Sequence, residues 1–368
     1  MSSEEEKQAL LEIRSQIDQI DQDIQNLINK RAACAQRVAE IKTRSLPAGE
    51  QVVFYRPERE AQVLRAIKTR NEGPLNSEEM ARLFREIMSA CLAHEKPMHI
   101  AFLGPAGTFT QAAALKHFGH SVVSVPMSAI DEVFREVESG AAHYGVVPVE
   151  NSTEGMINHT LDMFMTSSAQ ICGEVELRIH HHLLMAPATE ASAVTKIYSH
   201  QQSFAQCRRW LDAHWRHAER ITVSSNAEAA RRASVESNVA AIAGDMSVEI
   251  YKLRKVAENI EDRPDNTTRF LIIGREKVAS SGKDKTSVLV SMRNRPGALY
   301  HALEPFHRHG ISLTRLETRP SPNGTWAYVF YIDLEGHVTD PLVQAALDDV
   351  AKEAVELKVL GSYPVSVL

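Results

Sequence analysis

Four polar stretches carry the residue types that could do chemistry. They are Gly104-Pro-Ala-Gly-Thr-Phe-Thr110, Val149-Glu-Asn-Ser-Thr-Glu-Gly155, Ser199-His-Gln-Gln-Ser203 and Asp265-Asn-Thr-Thr-Arg-Phe270. Each of the first three follows a short apolar run with strand character and opens an amphipathic run with helix character. The fourth leads into the strand Arg269-Phe-Leu-Ile-Ile273. In open α/β sheets such corners gather at the carboxyl ends of the strands, where ligands bind. The unbonded N–H groups of helix starts suit an anion. Hydroxyls, amides and one arginine, with no cysteine–histidine cluster, point to a small carboxylate handled without metal or other cofactor.

A second group of chemical residues lies in the first 96. Arg31 and Lys42 are eleven residues apart, about three helical turns, so they point the same way. Arg14 lies seventeen residues before Arg31, roughly 100° off that line. Arg56, Arg59 and Glu60 cluster further on. A cationic group set in helices suits a substrate with two carboxylates. The positioning elements are legible from Leu10, Ile13, Ile17, Ile20, Ile24, Leu27 and Ile28, which step by three and four. With Ala35, Val38 and Ile41 they predict a helix of roughly 35 residues, about 50 Å long. That exceeds what one small domain needs and implies packing against a partner copy. Leu46-Pro-Ala-Gly49 separates it from a helix near 57–71, and a third runs from Ser77 to His94.

Composition narrows the class. At 368 residues, two or three domains are expected. With 24% charged and 43% apolar residues the chain has an ordinary globular balance. A net charge of −6 argues against nucleic acid as a partner. No apolar run approaches the ~20 residues that cross a bilayer, so no membrane partner is expected. The acidic start, Met1-Ser-Ser-Glu-Glu-Glu-Lys, does not read as a secretion signal. Cys34, Cys91, Cys172 and Cys207 have no metal or redox spacing and read as free thiols in a cytoplasmic protein.

Beyond Glu95-Lys-Pro97 the pattern changes to short alternating elements. Strands are expected at Ile100–Leu103, Val122–Val125 and Tyr144–Val149, with helices from about Thr110, from a Ser128 cap followed by Asp131, and from near Thr153. A long crossover, 171–185, precedes a second set of units over 196–243. Two α/β lobes with a cleft between them follow from this order. His180-His181-His182 lies in a strand-like run, where alternate side chains face opposite ways, and reads as packing and surface. Gly104–Gly107, Ser199–Gln202 and Thr267–Arg269 have plain structural readings too, as a tight turn, a cap and a strand start. Ser280–Lys285 reads as a linker. Beyond it a βαββαβ order, ferredoxin-like, runs to the end, and pairing with another copy is plausible for its open face or edge.

Arg31, Glu40-Ile-Lys42 and Tyr55-Arg-Pro-Glu-Arg-Glu-Ala-Gln-Val-Leu64 resemble the all-helical chorismate mutase family, which forms an intertwined dimer. The resemblance makes Arg14 the arginine donated to the partner's site and puts Arg31, Lys42, Arg59 and Glu60 in the chain's own site. Arg56, Cys91 and Glu95 also match site positions. They stand where aspartate, serine and glutamine respectively are common. The four polar stretches in their order are similar to prephenate dehydratase over 98–275, whose fold is that of two-lobed periplasmic binding proteins. The departure is Gln201, where many members have proline. Arg295-Pro-Gly-Ala-Leu299 and Glu317-Thr-Arg-Pro320 resemble the ACT regulatory domain, with Thr318 in place of a commoner serine. The whole is thus similar to bifunctional chorismate mutase–prephenate dehydratases of the bacterial P-protein type. Domains are expected over 1–96, 97–278 and 284–368.

That resemblance implies two reactions and one effector. Chorismate rearranges to prephenate by a pericyclic shift, which needs only the compact conformer held and charge on the ether oxygen stabilised. Lys42 can donate there; Glu95 can donate only when protonated, so burial is expected to raise its pKa. Prephenate then loses CO₂ and water, with Thr268 as the leading proton donor. Thr108, Asn151, Ser152, Thr153, Gln202 and Ser203 would bind carboxylates and ketone, and Arg269 is either a carboxylate clamp or a structural ion-pair partner. Gly297, Ala298, Leu299, Glu317, Thr318, Arg319 and Pro320 would bind phenylalanine. The reading from another class is a non-catalytic amino-acid-sensing dimer. Fusion to a prephenate dehydrogenase is set aside, because no Gly-x-Gly-x-x-Gly occurs.

Overall fold

Three amphipathic helices come first: α1 (Ser3–Ser45), α2 (Pro57–Arg70) and α3 (Ser77–Glu95). The structure, a computed structural model, describes residues 3–45, 55–153, 155–320 and 328–368. The expected turn at Leu46–Gly49 and most of the Pro320–Gly324 connection fall outside these. At 43 residues α1 outruns its predicted span. The extension is acidic in its first turn, which complements the helix dipole. Among the described residues its second half finds neighbours: Ile28, Arg31, Ala35, Ala39 and Lys42 are half-buried. Leu10, Ile13, Ile17, Ile20, Ile24 and Leu27 remain exposed. Arg65 of α2 donates to Ser281 Oγ at 3.0 Å and to the carbonyls of Lys283 and Val365 at 2.8 and 3.3 Å. The expected linker is therefore a tethered, partly buried segment.

The first lobe comprises β1 (His99–Leu103), α4 (Phe109–Phe118), β2 (Val123–Met127), α5 (Ile130–Ser139), β3 (Tyr144–Asn151), β4 (Gly155–Met156), α6 (Asn158–Thr166) and β5 (Gln170–Arg178). The second comprises β6 (His182–Met185), β7 (Lys196–Ser199), α7 (Gln201–Gln206), α8 (Arg208–His214), β8 (Glu219–Thr222), α9 (Asn226–Val235), β9 (Val239–Ala243), α10 (Asp245–Tyr251) and β10 (Arg254–Ala257). The chain then returns to the first lobe as β11 (Thr267–Gly274). Sheet orders are β2-β1-β3-β11-β5 and β10-β6-β9-β7-β8, both mixed. Two connections, 179–181 and 258–266, join the lobes and bond each other: Ile179 N–H to Asn266 O and Ile260 N–H to His181 O, both 2.8 Å.

Two local expectations change. The helix expected near Thr153 starts at Asn158, because Gly155 and Met156 first pair back onto β3 as a short hairpin. The cap of α5 runs the other way round: Ala129 is the N-cap, and Glu132 accepts from both the N–H and hydroxyl of Ser128 at 2.9 and 2.7 Å.

The last unit is β12 (Asp284–Met292), α11 (Ala298–Arg308), β13 (Leu313–Pro320), β14 (Tyr328–Glu335), α12 (Pro341–Glu353) and β15 (Glu356–Pro364), in sheet order β13-β14-β12-β15. One face packs on α11 and α12 through Val288, Val290, Phe306, Ile332 and Val350. The opposite face is not left for a partner. Leu289, Val329, Tyr331, Leu360 and Tyr363 join the first lobe's core with Val147, Val149 and Leu271. Gly361 runs so close to β5 that a Cβ there would overlap the Ile171 backbone.

Candidate active sites

A cleft of about 1010 Å³ opens between the lobes. From the first lobe come Thr108, Phe109, Asn151 and Thr268; from the second come His200, Gln202, Ser203 and Asn226; His181 and Gln206 stand where the connections cross. Among the described residues, no lysine, arginine, aspartate or glutamate lines it. The starts of α4, α7 and α9 do, each at a strand-to-helix corner. Gly107 makes the first corner with φ +91, a backbone that disfavours a side chain.

Thr268 and Asn151 face each other across β11 and β3. Asn151 Nδ2 donates to Thr268 Oγ1 at 2.8 Å, and Asn151 Oδ1 accepts from the Thr153 N–H at 3.0 Å and its hydroxyl at 2.6 Å. The Thr268 oxygen is thus an acceptor towards Asn151, which leaves its own hydrogen to point elsewhere. Asn226 Oδ1 accepts from the Ser199 hydroxyl, the His200 N–H and the Ser203 hydroxyl at 3.1, 3.1 and 3.0 Å, fixing the α7 corner. Thr108 caps α4 and donates to Leu103 O at 3.0 Å.

Of the residues predicted from sequence, Thr108, Asn151, Gln202, Ser203 and Thr268 line the cleft. Ser152 and Thr153 sit behind it, bonded to Thr267 N and to Asn266. Arg269 leaves the cleft altogether: its guanidinium meets Glu174 at 2.8 Å, Asp333 at 2.7 Å and Tyr363 OH at 3.1 Å. Of its two readings, the ion pair is the one the structure contains.

His181, read from sequence as packing, lines the cleft and is 1% exposed. Its Nε2 bonds Gln206 Oε1 at 2.7 Å, and that oxygen also accepts from Asn266 Nδ2 at 3.1 Å. An amide oxygen only accepts, so Nε2 carries the hydrogen and Nδ1 is a bare lone pair with no partner among the described residues. Burial lowers the pKa of His181 and of His200, keeping both neutral. Asn226 was also missed. Its signal was present in Ser224-Ser-Asn226, another cap after a strand.

The helical unit offers a different site. Arg31 and Lys42 both act on Glu95, whose pKa burial raises while Lys42 and then Arg31 pull it back. Cys91, one turn earlier on α3, is buried; Arg56 and Arg59 are exposed. Arg14 lies on the uncovered half of α1. Glu60 is turned instead to Arg85, an ion pair at 3.3 Å. Arg85 also donates to Lys116 O of α4 at 2.8 Å, so this pair faces the first lobe. Beside it Tyr55 OH and His117 Nε2 are 3.1 Å apart.

In the last unit Gly297 is the α11 N-cap with φ +82, next to Ala298 and Leu299. Along β13 the burial alternates. Glu317 and Arg319 are half-buried towards the first lobe, Arg319 in a fork on Asp162 at 2.8 to 3.0 Å, while Thr318 and Pro320 are exposed.

Fold and cleft together define a three-part protein: a two-lobed carboxylate-handling unit between a helical arm and a ferredoxin-like appendage. Family models match in the same three parts: chorismate mutase type II over 13–96, prephenate dehydratase over 100–278 and the ACT domain over 286–352. A bifunctional chorismate mutase/prephenate dehydratase of Stutzerimonas stutzeri is 62% identical over 99% of this chain and 100% of its own length. One from Pseudomonas aeruginosa is 62% identical over 97% and 98%. The crystal structure of prephenate dehydratase from Arthrobacter aurescens in complex with L-Phe superposes with TM-score 0.68 at 34% identity, over 73% of this chain and 90% of that one. The chain belongs to the family of bifunctional chorismate mutase/prephenate dehydratases, enzymes of phenylalanine biosynthesis. Among its described residues no helix is long and apolar enough to cross a membrane.

Proposed function

We propose that the helices rearrange chorismate to prephenate and that the cleft converts prephenate to phenylpyruvate, under inhibition by phenylalanine bound to the last unit. The observation that carries the second step is the pairing of Thr268 with Asn151 in a cleft whose described lining holds no lysine, arginine, aspartate or glutamate. The electrons of the breaking carboxylate bond enter the ring and expel the ring hydroxyl. The Thr268 hydrogen bonds that oxygen as it leaves as water, and solvent supplies the proton. Aromatisation drives the reaction. Thr108, Gln202 and Ser203 hold the remaining carboxylate and ketone from the corners of the cleft. Ser152 and Thr153 support Asn151 from behind.

For the first step Arg31, Lys42 and Arg59 grip the dianion, while Lys42 and protonated Glu95 donate to the ether oxygen. The apolar seam from Leu10 to Leu27 repeats every three and four residues, which fits a second copy of α1. That copy brings Arg14 to the site, so the working unit is a homodimer or larger, placed in the cytoplasm. Arg56 and Cys91 shape the wall, while Glu60 acts from behind it through its ion pair with Arg85. Phenylalanine sits between Gly297–Leu299 and the 317–320 segment.

The test is a chorismate assay on purified protein, following prephenate and phenylpyruvate separately, with and without phenylalanine. Phenylpyruvate suppressed by phenylalanine is the expected result. Prephenate accumulating alone rejects the dehydratase reading, and phenylalanine binding without turnover leaves an amino-acid sensor.

A further inference from the structure

Six alternating charges run through the joint between the first lobe and the last unit. Arg269 of β11 is 5% exposed and bridges Glu174 of β5 to Asp333 of β14, at 2.8 and 2.7 Å. Lys285 of β12 holds the other Glu174 oxygen at 2.7 Å. Arg315 of β13 reaches Asp333 at 3.9 Å and pairs with Glu150 of β3. Three cations and three anions thus alternate along the row, and Arg269, Arg315 and Asp333 share with Glu317 a space that Leu271, Leu360 and Tyr331 otherwise make apolar.

The position of two of these residues in the sheet gives the row its meaning. Arg269 and Glu150 are register partners, and the adjacent register pair is Thr268 with Asn151. Successive residues on a strand face opposite sides. The hydroxyl–amide pair therefore faces the cleft, while the charged pair directly beside it faces the ACT sheet. The register shifts immediately after Arg269, so the ladder is locally irregular at this point. At the far end, Arg315 lies on the inward side of β13, whose outward side carries Leu316, Thr318 and Pro320.

We propose that this charge ladder is the positioning device through which β13 acts on Thr268. A ligand that shifts β13 moves Arg315 and Asp333, which move Glu150 and Arg269, which tilt the reacting pair. Arg269, Glu150, Arg315 and Asp333 touch no substrate and act only through Thr268 and Asn151. The inference rests on the phenylalanine reading above. It adds the route, which runs through buried charge and not through occupation of the cleft. A ligand can shift the equilibrium only by its differential affinity for two arrangements, and an ion-paired row with alternative pairings supplies two.

The test uses the full chain carrying Arg315→Gln, Asp333→Asn or Arg315→Lys. Three quantities are read: L-phenylalanine binding by calorimetry, dehydratase kcat and KM with and without L-phenylalanine, and mutase rate as a control for folding. Arg315→Gln and Asp333→Asn should bind phenylalanine within about threefold of wild type and keep mutase rate and prephenate KM, yet lose about tenfold in the suppression of kcat. Arg315→Lys should keep most of the suppression. Full suppression in both neutral variants overturns the proposal. So does loss of phenylalanine binding, which would place these residues in the effector site. A wild-type dehydratase that binds phenylalanine but ignores it refutes the effector reading, and with it the route. A wild-type chain that binds none fails at the reading itself.

Discussion

Among the described residues no lysine, arginine, aspartate or glutamate lines the interlobe cleft, whereas Arg31 and Lys42 face Glu95 across α1 and α3. Both regions are read as handling dianions, and the contrast follows from the fate of the charge. In the cleft one carboxylate is destroyed as CO₂. A cation clamped on it would stabilise the ground state more than the transition state and slow the step. Hydroxyls, amides and helix-start N–H groups orient it at less cost. On the helices no charge is lost but some moves to the ether oxygen, so cations can both anchor the ligand and favour the transition state. The regions differ in completeness too. The cleft is lined by elements of one chain, while half of α1 has no cover among the described residues of its own chain.

The largest effect is expected at Thr268. Thr268→Ala should lower dehydratase kcat by about 10²- to 10⁴-fold and leave mutase rate unchanged; near-normal phenylpyruvate formation would remove Thr268 from its role. Next comes the uncovered seam. Ile20→Glu should separate the copies and cut mutase activity by roughly 10²-fold, with dehydratase hardly altered. Sedimentation alongside both assays checks it, and a monomer with full mutase activity would show that site to be self-sufficient.

A smaller effect concerns Glu95, whose pKa is raised chiefly by burial. It donates only when protonated, so mutase rate should fall as pH climbs through that raised pKa, about tenfold per unit beyond it. Glu95→Gln keeps a donor at every pH and should flatten the profile; two parallel profiles would count against the idea.

The smallest lies at the joint between the regions. Burial brings the His117 pKa from 6.5 down to about 3, so it stays neutral when folded and takes a proton on unfolding. Stability then falls as pH drops from the unfolded value towards the folded one, by up to about 1.4 kcal/mol per unit. In urea melts at pH 7.5 and 5, His117→Gln should lose less than wild type on acidification. Equal losses would mean that the joint does not open in the measured transition.

Much of the fold was legible. Steps of three and four marked the body of α1, and the helices expected near 57–71 and over Ser77–His94 are α2 and α3; Asn76, which caps Glu79 N–H, starts the latter. Where the reading failed, a distant partner had intervened. The helix expected at Thr153 was delayed because Met156 pairs with Glu150. The linker at 280–285 was tied down by Arg65, more than two hundred residues away in sequence. His181 read as packing or surface, and only the crossing of the lobe connections puts it in the cleft.

Sequence by itself determined the elements and the kinds of group at the corners, because periodicity, caps and turn chemistry are local. It also required Thr268 and Arg269 to face opposite ways, since neighbours on a strand must. It could not say what each would face. That was decided when β11 took its place between β3 and β5, with the cleft on one side and the sheet carrying Asp333 on the other. A buried guanidinium needs its counter-charges within contact, and only the packed chain brings Glu174 and Asp333 there.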